Sequence, residues 1–143
     1  MTTIRLSDLA RVLGVALHST DAAITGLAID SRAVTTGDLF VAIRGDRLDG
    51  NDFIEKALAR GAAAVVSSQT LSHSIPHLTV TDSGAACAAF GRLARESFGG
   101  VVAGITGSAG KTTAKAFLAA ICASTDRTVA TDGNQNNELG VPL

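Results

Sequence analysis

Residues 100–113 read GVVAGITGSAGKTT and decide the fold of the segment around them. Residues 101–105 are almost entirely apolar, which predicts a buried parallel strand. Glycines 107 and 110 follow, and the helical spacing of apolar residues begins near Lys111. A strand that passes through a glycine-containing turn into a helix starting with Lys-Thr-Thr is typical of a phosphate-binding loop.

The predicted nucleotide site occupies this turn and the first residues of the helix. Glycine lets backbone N–H groups approach an anion closely, and the amino-terminal end of the helix adds a favourable dipole. Lys111 would meet the β- and γ-phosphates of ATP, and the Thr112 hydroxyl would bind Mg²⁺. The common form of the motif requires glycine where this chain has Ile105, so an ordinary turn with a surface lysine is the alternative. The predicted ATP-binding residues are Gly107, Ser108, Ala109, Gly110, Lys111, Thr112 and Thr113.

Composition excludes several classes of protein. The chain has 143 residues and is 46% hydrophobic, which is enough for the core of one ordinary domain or two small ones. A net charge of −1 with scattered basic residues argues against a nucleic-acid or anionic-membrane partner. Because residues 1–10 lack an export signal and no apolar run could span a bilayer, we expect a cytoplasmic protein. Cys87 and Cys122 are predicted to be buried small hydrophobes, and the three histidines lack the spacing of metal ligands.

The alternation of predicted strands and helices favours the α/β class with a largely parallel sheet. Ser7 is predicted to cap the first helix, and Gly14 to end it. Asp82–Gly84 is the predicted boundary between a small α/β domain (1–83) and a second unit (84–143) that begins a parallel-sheet ATPase domain. The predicted strands are 24–30, 39–43, 62–67, 77–81, 101–105 and 127–131, and the predicted helices are 6–13, 52–60, 86–97 and 111–121.

Three polar loops are further candidates for ligand binding. Residues 30–32 (Asp-Ser-Arg) follow a predicted strand, and a hydroxyl beside a guanidinium could bind a diphosphate or a sugar. Residues 44–51 and 132–138 are rich in Gly, Asp and Asn, whose side chains donate and accept hydrogen bonds. Each loop could equally be a solvated turn.

The loop at 106–113 resembles the short phosphate-binding loop of the ATP-dependent Mur ligases, in which the pattern is TGxxGKT. Residues 30–32, 37–42 and 61–66 are similar to the amino-terminal domain of the same family. The closing stretch, residues 134–143 (NQNNELGVPL), is similar to the members that add D-alanyl-D-alanine, whereas members that add a diamino acid or lysine carry an Asn-Thr-Thr-Pro type of loop there. The resemblance covers nearly the whole chain.

This resemblance implies an ATP- and Mg²⁺-dependent ligase that joins D-alanyl-D-alanine to UDP-N-acetylmuramoyl-tripeptide through an acyl phosphate. It implies that Lys111 is the catalytic residue that stabilises charge on the transferring phosphoryl group. Substrate-binding residues implied by the same resemblance are Ser31, Arg32, Asp46 and Asn51 at the UDP end and Asn134, Asn136 and Asn137 near the muramoyl–peptide portion.

The length of the chain suggests an amino-terminal fragment, inactive alone, that is monomeric or self-associates. The alternatives are a ligase that adds a diamino acid or lysine, and a module that binds a UDP-sugar or nucleotide without catalysis.

Overall fold

The computed structural model describes residues 3–45, 48–71 and 74–131 of the chain. It belongs to the α/β class, as the alternation of apolar segments predicts. The elements in chain order are β1 (Ile4–Arg5), α1 (Leu6–Leu13), β2 (Ala23–Ile24), β3 (Gly26–Ala28), β4 (Asp38–Val41), a short 3₁₀ helix (Gly50–Phe53), α2 (Ile54–Ala59), β5 (Ala64–Ser67), β6 (His77–Thr79), α3 (Ser83–Ser97) and α4 (Lys111–Ala123).

The centre of the fold is a four-stranded sheet in the order β3-β4-β5-β6. All three pairings are parallel, with Leu27 opposite Leu39 and Phe40 opposite Val65. The predicted parallel sheet is therefore confirmed. Because every strand runs the same way, the loops that follow β3, β4, β5 and β6 all leave from one edge, which is where ligands bind in open α/β sheets.

Both faces of this sheet are covered, as its apolar strands require. Leu39, Val41 and Val66 point to one face, where they pack in a core with α1 and α3. Phe40 and Val65 point to the other face and pack against residues that include Ile54 and Ala57. Successive side chains thus alternate between two cores, in keeping with the two-residue period of a strand.

The amino-terminal helix forms where the sequence predicts it, but its capping differs. α1 ends at Gly14, whose φ of 67° is left-handed and favours glycine. Arg5 precedes the helix without a side-chain cap, so the prediction that Ser7 caps it is wrong. Instead, the carboxylate of Asp21 accepts hydrogen bonds from the Ser7 amide and hydroxyl, each at 3.0 Å. Asp21, fourteen positions after Ser7, thus accepts a hydrogen bond from an amide at the start of the helix. Local sequence spacing does not reveal this partner.

The predicted strand over residues 24–30 is divided between two sheets. β2 pairs antiparallel with β1, and β3 joins the parallel sheet. Gly26 sits directly against Asp38, and a Cβ at position 26 would clash with the Asp38 carboxylate oxygen. The Asp38 side chain, whose carboxylate also accepts hydrogen bonds from the Thr35 amide and hydroxyl, occupies the space that a larger residue at position 26 would need. The chain changes sheets at that point.

α3 packs onto the amino-terminal core. Asp82 caps it by accepting hydrogen bonds from the amides of Gly84 and Ala85 at 2.8 and 3.2 Å. Cys87 and Phe90 lie in the same buried cluster as α1 and the sheet. Burial raises the pKa of the Cys87 thiol to about 11, so this cysteine behaves as the predicted small hydrophobe.

Residues 98–131 differ from the sequence prediction. Helix α4 is present, but residues 101–105 and 127–131 are not strands, so both strand predictions are wrong. Val101 and Val129 are 97% and 91% exposed. A strand gains its stability from a hydrogen-bonded neighbour and a covered face, and no other described residue supplies either one here.

The faces of α4 also differ from the prediction. Phe117, Leu118 and Ile121 are exposed rather than packed, and Cys122 is only partly buried. The sequence of this segment forms a helix because the backbone hydrogen bonds of a helix lie within the segment itself. Burial of its apolar side chains would need a packing partner elsewhere in the chain.

Candidate functional site

The phosphate-binding loop has the geometry that its glycines allow. Gly107 and Gly110 have φ angles of 154° and 77°, and Gly110 directly precedes α4. The first bond across the helix start runs from the Ala114 amide to the Gly110 carbonyl at 2.9 Å. The amides of residues 111–113 therefore have no helical acceptor and are available to an anion.

Lys111 is the first residue of α4, and its ammonium group turns back over the loop. Its Nζ donates a hydrogen bond to the carbonyl oxygen of Gly107. Thr112 and Thr113 are exposed beside it. The structure thus brings together the two glycines, the lysine and the two threonines that the sequence predicts as a nucleotide site. An ammonium group, free amides and hydroxyls on one loop are suited to binding phosphate oxygens.

The Asp30-Ser31-Arg32 segment is a tight turn after β3. The Arg32 amide donates to Asp30 Oδ1 at 2.9 Å, and the Arg32 guanidinium reaches the same carboxylate at 2.7 Å. The Arg32 side chain donates to the Asp30 carboxylate and holds its pKa at about 2, so the carboxylate is ionised at neutral pH. Ser31 is buried. Arg32, by contrast, is exposed, so its guanidinium is accessible from solvent.

The loop after β4 forms a small hairpin. Arg44 and Asp49 form an antiparallel bridge, and the Gly50 amide donates to the Ile43 carbonyl at 2.9 Å. A Cβ on Gly50 would lie 2.5 Å from the Ile43 nitrogen, so the close approach of the two backbone segments requires glycine. The Asn51 amide and side-chain Nδ2 both donate to Asp49 Oδ1, at 2.9 and 2.6 Å. These hydrogen bonds lower the pKa of Asp49 and keep it ionised.

A crevice of about 490 Å³ lies at the carboxyl-terminal edge of the parallel sheet. Its walls come from the segments that follow β4, β5 and β6 and from the start of α3. The lining residues are Ile43, Arg44, Ser68, Gln69, Thr81, Asp82, Ser83 and Gly84. Because Asp82 already accepts the first free amides of α3, the end of that helix is not open to an anion.

The predicted substrate residues do not form one cluster. Ser31, Arg32 and Asn51 follow strands at the same edge of the sheet but do not line the crevice. Asp46, Asn134, Asn136 and Asn137 lie outside the described residues. Sequence reasoning missed Ser67, whose hydroxyl donates to Asn51 Oδ1, and Gln69, whose amide donates to the Ser67 hydroxyl. The signal for Ser67 was a polar residue at the end of the apolar run AAAVVS.

Comparison with known proteins assigns the family. Residues 23–94 match the family described as "Mur ligase family, catalytic domain", and residues 105–143 match the "Mur ligase middle domain". The chain belongs to the Mur ligase family. The short phosphate-binding loop, which departs from the common motif at Ile105, is thus the loop of a Mur ligase.

Related Mur ligases are similar to this chain over most of its length. The UDP-N-acetylmuramoyl-tripeptide--D-alanyl-D-alanine ligase of Escherichia coli is 39% identical over 100% of this chain and 32% of its own. The UDP-N-acetylmuramoyl-L-alanyl-D-glutamate--2,6-diaminopimelate ligase of Geobacillus kaustophilus is 36% identical over 86% of this chain and 26% of its own. The chain therefore spans about a third or less of these Mur ligases.

Solved structures of Mur ligases share the fold. MurF from Acinetobacter baumannii superposes with a TM-score of 0.80 at 32% identity, covering 99% of this chain and 32% of that one. MurF ligase from Thermotoga maritima, solved in complex with ADP, gives a TM-score of 0.68 at 38% identity, over 81% of this chain and 27% of that one.

The described part of this Mur ligase chain has neither a cluster of metal-ligating side chains nor a membrane-spanning helix. Within residues 3–45, 48–71 and 74–131, no group of three or more His, Cys, Asp or Glu side chains is placed to hold a metal ion. In the same part of the chain, no helix has both the length and the apolar character needed to cross a bilayer.

Proposed function

We propose that this chain supplies the UDP-substrate-binding domain and the ATP-binding loop of a ligase that joins D-alanyl-D-alanine to UDP-N-acetylmuramoyl-tripeptide. One observation carries the proposal: Lys111 and the open amides of residues 111–113 meet at one loop. Relatives at up to 40% identity that carry this ligase name, and the closing stretch at residues 134–143, support the choice of substrate.

In the proposed reaction, the terminal carboxylate of the UDP-linked peptide attacks the γ-phosphorus of ATP, and ADP leaves. The amine of D-alanyl-D-alanine then attacks the acyl phosphate, so that an amide forms and phosphate and a proton are released. Such transfer depends on positioning and on electrostatic stabilisation. Lys111 would exchange the Gly107 carbonyl for a phosphate oxygen and offset the charge that develops there.

The residues of the loop suit Mg²⁺ as well as phosphate. Thr112 presents an exposed hydroxyl oxygen beside Lys111, and Mg²⁺ prefers oxygen ligands, with water and substrate phosphates completing its shell. Mg²⁺, when bound, neutralises part of the phosphate charge. Thr112 would hold it next to the amides of α4.

The remaining assignments rest on the edge of the parallel sheet. We propose that Ser31, Arg32 and the loop containing Asp46 and Asn51 bind the UDP end of the substrate, because the carboxyl-terminal edge of such sheets binds ligands. Asn134, Asn136 and Asn137 would bind the muramoyl–peptide portion. The packing of α3 and the two family matches support a domain boundary after Ser97, later than the predicted residue 83. A monomer working in the cytoplasm fits a reaction that uses ATP and a UDP-linked sugar.

Binding of Mg–ADP to this chain tests the nucleotide site. Isothermal titration should show that Lys111→Ala weakens binding about tenfold or more, since a hydrogen bond to a charged group is worth about 1.5–3 kcal/mol. Lys115→Ala is the matched control: it removes the same group one turn later on α4, where Nζ donates to the Thr131 carbonyl. Equal affinities of wild type and Lys111→Ala would contradict the assignment.

An amine screen on the full product of the gene tests the substrate. With ATP and UDP-N-acetylmuramoyl-tripeptide, D-alanyl-D-alanine should be incorporated into an amide. The second candidate, favoured by the Geobacillus relative, is a ligase that adds a diamino acid to the dipeptide precursor. Incorporation of diaminopimelate or lysine without D-alanyl-D-alanine would support that candidate, and nucleotide binding without amide formation would support a non-catalytic module.

A further inference from the structure

The hydroxyl of Ser67 joins the two loops that flank the crevice at the carboxyl-terminal edge of the sheet. Ser67 is the last residue of β5 and is fully buried. Its Oγ donates to Asn51 Oδ1 at 2.6 Å and accepts from the Gln69 amide at 2.9 Å. One buried hydroxyl thus binds a residue that follows the β4 loop and a residue that lines the crevice after β5.

The bond to Asn51 extends into the hairpin after β4. Asn51 Nδ2 donates to Asp49 Oδ1 at 2.6 Å, and Asp49 forms the bridge with Arg44. Within the hairpin, the Gly45 amide donates to the Leu48 carbonyl at 2.9 Å. A continuous set of bonds therefore runs from Ser67 to Arg44, which lines the crevice as Gln69 does.

The Asn51 side chain has internal partners at both ends, because its oxygen accepts from Ser67 and its nitrogen donates to Asp49. A group engaged in this way is better suited to supporting the loop than to contacting a substrate. Ser67 has no exposed surface and cannot touch a ligand, so it can act only through the residues that it holds. A buried hydroxyl that loses a hydrogen-bond partner destabilises the fold. The bonds of Ser67 to Asn51 and to Gln69 therefore hold both residues in place.

We propose that Ser67 is a positioning residue that fixes the two hairpin segments at residues 43–45 and 48–50 against the end of β5 and so sets the geometry of the hairpin beside which the crevice lies. The expected effect on substrate binding rests on the proposed function, in which that hairpin binds the UDP end of UDP-N-acetylmuramoyl-tripeptide. Substrate affinity would then depend on a hydroxyl that makes no contact with the substrate.

Amide exchange in this chain tests whether Ser67 holds the hairpin in place. In Ser67→Ala, the amides of Gly45 and Gly50 should exchange about tenfold faster than in wild type, while the Val65 amide, which donates to the Pro76 carbonyl, changes much less. Ser97→Ala is a control: it removes a hydroxyl that donates to the Leu93 carbonyl at the exposed end of α3, and it should change neither. If the Gly45 and Gly50 amides accelerate no more than the Val65 amide, the hydroxyl does not hold the hairpin and the proposal is overturned.

A pair of variants distinguishes positioning from a general loss of stability. Ser67→Ala and Asn51→Ala should each weaken binding of UDP-N-acetylmuramoyl-tripeptide about tenfold, and the double variant should also lose about tenfold, because both changes break the Ser67–Asn51 hydrogen bond that holds the hairpin. Ser67→Cys, of similar size but a poor hydrogen-bonding group, should resemble Ser67→Ala. A hundredfold loss of substrate affinity in the double variant would show that Ser67 and Asn51 act independently and would overturn the proposal.

The binding measurement also separates this inference from the proposed function. If wild type binds the UDP-linked substrate and Ser67→Ala binds it equally well, the inference fails and the proposed function stands. If wild type binds no UDP-linked substrate, the proposed substrate-binding role of the loop after β4 fails, and the prediction that Ser67 affects substrate affinity fails with it. In the full gene product, Ser67→Ala should raise KM for the UDP-linked substrate about tenfold with kcat changed less than twofold, since the nucleotide loop is intact.

Discussion

Residues 3–97 and residues 98–131 contain similar apolar sequences but differ in how far they are buried. In the first region, Leu39, Val41 and Val66 are fully buried between α-helical layers. In the second, Val101 and Val129 are almost fully exposed, and α4 has no buried residue. The difference teaches that a helix can form from local hydrogen bonds, whereas an apolar strand needs neighbours that lie elsewhere in the chain.

The largest expected difference between the two regions is in the rate of amide exchange. The Ala42 and Val65 amides, hydrogen-bonded to the Val66 and Pro76 carbonyls, should exchange about a thousandfold or more slowly than the amides of residues 101–105. The reason is that core amides open only with most of the domain, whereas exposed segments open at little cost in free energy. Hydrogen–deuterium exchange followed by NMR measures the ratio. Uniformly slow exchange over residues 100–131 in the monomer would show that the two regions do not differ.

A matched pair of isoleucines sharpens the comparison in terms of stability. Ile24 in β2 is fully buried, whereas Ile121 in α4 is 67% exposed. Ile24→Ala should lower the free energy of unfolding by about 2–5 kcal/mol, because it removes buried methyl groups and leaves a cavity. Ile121→Ala should change it by less than about 0.5 kcal/mol. Urea denaturation monitored by circular dichroism tests both variants, and equal losses would mean that α4 is packed in solution.

The smallest expected effect concerns the surface turn after β3. The pKa of Asp30 is lowered to about 2 by hydrogen bonds from Arg32, so the interaction stabilises the fold above the ordinary aspartate pKa near 3.8 and is lost as pH falls toward 2. Because both side chains are largely exposed, the loss should be about 0–1 kcal/mol. NMR titration should show the Asp30 pKa rising toward 3.8 in Arg32→Gln. An unchanged pKa in that variant would rule out Arg32 as its cause.

Local sequence signals predicted the elements whose stabilising contacts are near in the chain. α1 ends at Gly14 as predicted, and the helix after the phosphate-binding loop begins at Lys111 as predicted. The capping of α1 was wrong because Asp21 lies far along the chain from the helix start. The strands at 101–105 and 127–131 were wrong because a strand cannot be inferred without its neighbour.

In the candidate site too, residues close together in the sequence could be predicted, whereas contacts between distant residues could not. The glycines, lysine and threonines of the nucleotide loop lie within seven consecutive residues, so spacing alone places them together. Arg32 could be named as a candidate from the sequence, but coordinates were needed to show that it pairs with Asp30 and does not line the crevice. Ser67 was missed because a serine that ends an apolar strand gives no sign of which distant polar group it meets.

The sequence by itself determined the α/β class, the parallel sheet and the position of the predicted phosphate-binding loop at residues 106–113, because each depends on the order of residues over a short span. Only the tertiary structure decided that β2 and β3 belong to different sheets, that α3 packs with the amino-terminal core, and that the Ser67 hydroxyl bonds to Asn51. Those features depend on contacts between residues far apart in the chain, which form only when the sheet brings its loops to one edge.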